Sequence, residues 1–97
     1  SARIEKEYWI TYGGWMIVHD EYQEEPLACE QYCRAERGDV VYVHAHSLRG
    51  SYCGEFAHEQ WVWADVTRRH AGKWLRSHFG WLPKRVVQVP AVAMGWT

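Results

Sequence analysis

Apolar residues in this chain fall into short runs separated by turn residues. The clearest run is Val40-Val41-Tyr42-Val43. It is entered through Arg37-Gly38-Asp39, where glycine supplies a positive φ and the aspartate caps the local backbone. A second run, Gln60 to Val66, alternates: Val62, Ala64 and Val66 on one face, Trp61, Trp63 and Asp65 on the other. The small apolar set is expected to face the core, which leaves Trp61 and Trp63 outside. Trp15-Met16-Ile17-Val18 reads as a short buried strand. Phe79-Gly80-Trp81-Leu82 reads as another, broken by Pro83; Lys84 to Val89 ends it, and Pro90 stops the element. Tyr8-Trp9-Ile10-Thr11-Tyr12 is strongly β-prone and closes on Gly13-Gly14, which predicts an extra strand or a structured arm.

The segments between these runs are polar. Asp20 to Glu36 is acidic and irregular, and Pro26 forbids a central strand there. The pattern predicts a long hairpin-like loop with Tyr32-Cys33-Arg34-Ala35 as its return arm, Cys33 and Ala35 facing inward at period two. Residues 44–60 read as a long loop. Thr67 to His78 is basic, and predicts a turn followed by a short strand around Trp74-Leu75. The expected division is an extension over 1–14, one domain over 15–90 and a short apolar tail over 91–97.

Composition narrows this picture. Ninety-seven residues fit one domain, and 47% apolar with 24% charged residues is too apolar for disorder. Seven tryptophans and six tyrosines are more than so small a core can hide, and exposed aromatics mark recognition surfaces. The net charge of -1 conceals a division. Ser1 to Asp65 carries every acid, whereas Val66 to Thr97 carries Arg68, Arg69, Lys73, Arg76, Lys84 and Arg85 and none. Such asymmetry suits a steering patch or an acidic partner, or neutralisation across one fold. Three cysteines, Cys29, Cys33 and Cys53, cannot all pair within the chain, which predicts reduced thiols and an intracellular, cytoplasmic setting. No apolar run approaches the length of a membrane span, and no signal peptide is visible. A start at Ser1-Ala2 without Met reads as a piece of something longer.

Together the runs describe a small barrel or sandwich, and their order goes further. Ile17-Val18-His19-Asp20-Glu21-Tyr22 stands where the Src homology 3 (SH3) family has an Ala-Leu-Tyr-Asp-Tyr-like strand end. Acidic Glu24 and Glu25, the arm Cys33-Arg34-Ala35 and Gly38-Asp39-Val40-Val41 follow. Trp61-Val62-Trp63-Ala64 matches the family's Trp-Trp-X-Ala/Gly, and Gly80-Trp81-Leu82-Pro83-Lys84-Arg85-Val86-Val87 matches its closing Gly-X-Phe-Pro segment. From about Trp15 to Val89 the chain therefore resembles an SH3 domain. The resemblance implies an all-β, SH3-like small antiparallel barrel of five or more strands, here with extra terminal segments.

The resemblance also implies non-covalent recognition of a peptide or protein surface, with a basic or proline-containing segment as partner. It puts Trp61 at the centre of the binding face, flanked by Pro83, Tyr22 and His19. Trp63 would widen the platform, Glu24 and Glu25 would steer a basic ligand, and Arg85 stands where the family's closing pair should be. His19, Glu21, Arg85 and Val86 replace ridge residues, so an altered ligand preference is expected. Two rivals remain: a nucleic-acid-binding barrel that uses the basic 68–85 segment with Trp74 and Trp81, and an assembly module whose groove is covered by its terminal arms. Cys29 and Cys33 loosely fit the spacing of a zinc pair, but with His44 and His46 on one strand face, Cys53 and His58 fall at no standard spacing for a second pair, Cys33 is wanted in the core, and Cys53 with His58 carries no catalytic signature. No enzyme activity, cofactor or metal is expected.

Overall fold

The computed structural model describes residues 2–23, 31–50 and 59–90. Helix α1 (Ala2–Tyr12) opens the chain. Among the described residues six strands follow: β1 (Gly14–Val18), β2 (Val40–Val43), β3 (Arg49–Gly50), β4 (Gln60–His70), β5 (Lys73–Pro83) and β6 (Val87–Gln88), with a 3-10 turn at Lys84–Val86 between the last two. All strand pairs are antiparallel, in the order β6-β1-β2-β4-β5, with β3 pairing the start of β4. The sheet curls into a half-barrel, and the expected small all-β barrel architecture is present.

Alternation sets the inner surface. Met16 and Val18, Val41 and Val43, and Val62, Ala64 and Val66 point inward and are fully buried. Leu82, Val86 and Val87 close the same core from the end of the chain. Each fully buried branched side chain contributes on the order of 1.5–3 kcal/mol relative to exposure. The long loop after β1 returns as predicted. Tyr22 and Ala35 exchange backbone hydrogen bonds of 2.9 and 3.0 Å, and Cys33 and Ala35 face inward. Asp39 accepts the Glu36 N–H at 2.9 Å, which is the anticipated cap of the turn into β2.

Two expectations are corrected. Residues 8–12 form the end of α1, not a strand. Both edges of β1 are already occupied by β2 and β6, so its neighbourhood offers no ladder for a further strand. The helix instead buries Ile10 and leans Trp9 on the core. It ends at Gly13, whose φ of +81° few other residues tolerate, and its orphan Ile10 carbonyl accepts the His46 N–H at 2.9 Å.

The second correction concerns Thr67 to His78. The predicted turn and short strand are parts of one long hairpin: β4 runs on to His70, Ala71-Gly72 make the turn, and β5 is a single strand from Lys73. A bulge between Val66 and Thr67 shifts the register, and Thr67 Oγ1 donates to the Val40 carbonyl at 2.7 Å. The extra residue, Ser77, lies on β5, and Thr67 to His70 are all polar, which ends the apolar alternation of β4 at Val66.

Candidate binding site

The residues expected to form the recognition ridge are brought together. Trp61 and Pro83 are partners across β4 and β5, and the Tyr22 ring stands edge-on to Trp61 with centroids 5.7 Å apart. The expected exposure is wrong, however. Trp61 is 0% exposed and Tyr22 2%, and Pro83 is fully buried. The outward placement of Trp61 is therefore corrected: it shares the outer face of β4 with Trp63, but the return arm of the long loop folds over that end. Tyr32, on this arm, packs its ring 4.6 Å from the Trp61 indole. The arm is fixed to β5 through Cys33 N–H to the Trp81 carbonyl and Trp81 N–H to the Gln31 carbonyl, each 3.0 Å. Gly80 makes this approach possible, since a Cβ there would lie 3.1 Å from the Cys33 nitrogen.

The remaining predicted residues separate. His19 is exposed and donates from Nε2 to the Arg85 carbonyl at 2.6 Å. The Arg85 guanidinium turns to Glu59, 3.1 Å away. Glu24 and Glu25 lie outside the described residues. Trp63 is half-buried, edge-on to Trp81 at 5.1 Å and 5.8 Å from Phe79. Cys29, Cys53 and His58 also lie outside the described residues. Among those described, no three histidine, cysteine or acidic side chains cluster as metal ligands. Cys33 is buried, and desolvation, with Asp65 nearby, pushes its thiol up to about 12.

What sequence reasoning missed is the rest of the outer face. Across four strands the register sets Trp15, Tyr42, Asp65 and Phe79 in one row. Trp15 and Tyr42 meet edge to face at 5.3 Å. Asp65 accepts from His44 Nε2 at 3.1 Å and lies 3.8 Å from Arg76, whose guanidinium sits 4.8 Å above the Phe79 ring. Arg49 stacks over Trp81 at 4.5 Å. Cations on aromatic faces hold these flat side chains in place at the surface. Trp15, Trp74, Leu75 and Phe79 remain exposed. The signal available in the sequence was the Trp15-X-Ile17 alternation, which puts a tryptophan on the face opposite Met16.

Among the described residues, three concavities border these elements. One, about 810 Å³, is polar and lies between the loop's return arm and the hairpin, but its groups are engaged: His78 donates to the Arg34 carbonyl and Arg68 pairs with Asp39. A second, about 390 Å³, lies beside Lys6, Glu59 and Lys84. Lys84 is bonded there to Glu7 of the helix, and burial together with the Lys84 charge lowers the Lys6 pKa. The third, about 350 Å³, is an apolar cleft with Trp15 and Trp74 as walls and Val40 as floor.

The six cations of the C-terminal half do not form one patch. Lys84 and Arg85 are neutralised by Glu7 and Glu59 at the far end of β5 from Lys73. Arg68 is held by Asp39 at 3.1 Å. Among the described residues, Arg69 and Lys73 have no carboxylate within ion-pair distance. No family model, no curated protein and no solved structure matches the chain.

Proposed function

We propose that the chain is a non-enzymatic protein-interaction module, a divergent SH3-type barrel whose proline-peptide ridge is filled by its own loop and whose binding face is the outer surface of the sheet. The element order supports the family reading: a strand, a long acidic loop, Gly38-Asp39 into β2, a long hairpin begun by Trp61 and closed at Pro83, then a last strand back on the first. The observation that carries the functional reading is a contrast in exposure. Trp61 is 0% exposed beneath Tyr22 and Tyr32, whereas Trp74 on the same sheet is 49% exposed. A proline-rich helix would find no open ridge at Trp61, while the outer aromatics offer the flat apolar area that interfaces use.

The buried Cys33 fits this role better than it fits catalysis. A thiol held protonated is a poor nucleophile. A free buried thiol also suits a reducing, intracellular compartment.

Panning a displayed random-peptide library on the immobilised chain tests the proposal. The expected ligands bind the wild type and are lost when Phe79 and Trp74 are both changed to serine. Capture of basic proline-rich peptides that survives this double change, and disappears with Glu24→Lys plus Glu25→Lys, would return recognition to the family groove.

A further inference from the structure

We infer that the cleft between Trp15 and Trp74 is the centre of this binding face and takes an acidic peptide segment, one apolar side chain entering between the indoles while a flanking carboxylate meets Arg69. This inference rests on the interaction-module reading and names its partner chemistry.

The geometry is that of an anchor pocket. Two half-exposed tryptophans stand as walls over Val40, and the space of about 350 Å³ suits an apolar anchor. Trp15 is braced by the edge of Tyr42, and Trp74 by the Arg69 guanidinium 5.7 Å from its ring. Braced aromatics lose little further freedom on binding, and tryptophan pockets of this kind carry a large share of interface energy.

The rim supplies the charge. Arg69 lies opposite Trp74 in the ladder, on the same face of the hairpin, and so flanks the cleft, whereas Lys73 precedes Trp74 in β5 and falls on the other face. On that face Arg69 has no carboxylate partner among the described residues, whereas Arg76 faces Asp65, and the sequence holds no acid after Asp65. Charge complementarity therefore selects an acidic occupant. Nucleic acid is the poorer match. It carries a phosphate at every nucleotide, whereas Arg68 and Arg76 already face Asp39 and Asp65, and those carboxylates would repel a continuous polyanion. One open cation beside an apolar slot fits a peptide with carboxylates next to one large apolar residue.

The test is fluorescence anisotropy with a short labelled peptide in which phenylalanine is flanked by glutamates. Binding is expected to weaken about tenfold or more with Trp74→Ser and with Arg69→Glu, and to fall as salt rises. Replacing the peptide's phenylalanine by serine is expected to have the same effect as Trp74→Ser. Both protein changes lie on the exposed hairpin, and thermal melts confirm that the variants fold. Binding that neither variant weakens overturns the inference. So does a labelled single-stranded oligonucleotide that binds in a Trp74-dependent way while the peptide does not, or sedimentation showing a Trp74-dependent dimer that excludes the peptide. If library peptides bind and only Phe79→Ser abolishes them, the interaction-module reading stands and the cleft falls. If no peptide of either kind binds, both fall.

Discussion

At the scale of single residues, Trp61 decides the reading of this protein. Its alternation with Trp63 suggested a surface ligand platform, but Tyr22 and Tyr32 pack against its ring and leave it 0% exposed. Trp61→Ala is therefore expected to cost about 3–5 kcal/mol of stability, by loss of burial and creation of a cavity. Chemical denaturation measures this; an unchanged midpoint would put Trp61 back at the surface. Cys33 gives a second residue-scale test. In a chain with Cys29→Ser and Cys53→Ser, native Cys33 is expected to resist alkylation at mildly alkaline pH and to react on unfolding. The sign of its pH dependence follows from the raised value. The unfolded thiol ionises near 9.0 and the folded one near 12, so the folded state holds the proton in between. Stability relative to a Cys33→Ala variant should thus be constant below pH 9 and fall as pH rises toward 12. Denaturation curves for the two chains across that window check it.

At the scale of elements, the β4–β5 hairpin is where local chemistry and the fold disagree. Its two-residue turn places Ala71 at φ 51° and Gly72 at φ 79°. That pair of positive values is the turn that favours Asn-Gly, and an alanine in the left-handed region costs about 1–2 kcal/mol. Ala71→Asn is expected to recover about 1 kcal/mol, seen as a raised unfolding midpoint with the same denaturant dependence. A loss of stability would mean the turn has a different geometry. Because alanine is a poor marker for such a turn, the sequence pointed to a vague basic stretch there. The strand pairing is fixed by the ladder, and the ladder overrides the turn residue. Helix α1 teaches the same lesson in reverse. Aromatic and β-branched residues at 8–12 favour a strand, yet with β1 already paired on both edges the segment gains more by coiling and burying Ile10.

At the scale of the whole molecule, burial is unevenly distributed along the long hairpin. Its base lies in the core, where Val62, Ala64, Val66 and Leu82 are fully buried, while Arg68 to Ser77 are all exposed. Opening free energy should follow this gradient. Amide exchange is expected to be slowest at Val62 to Val66 and fast through Arg69 to Leu75, although all belong to one ladder. Uniform protection along the hairpin would indicate a cover over its tip in solution. The same gradient explains how a stable barrel can present Trp74 and Arg69 to a partner without disturbing the core.

The sequence by itself determined the barrel: the runs at 15–18, 40–43 and 60–66, the Gly38-Asp39 turn and the inward set Val62, Ala64 and Val66 follow from period-two alternation and turn chemistry, which are local. It also grouped Trp61, Pro83 and Tyr22, which do meet. Only the tertiary structure decided which aromatics are open. Alternation assigns a side chain to a face of a strand, but whether a loop from elsewhere in the chain covers that face depends on contacts between residues such as Tyr32 and Trp61, far apart in sequence. Those contacts bury the expected ridge and leave Trp15 and Trp74 open beside the unneutralised Arg69.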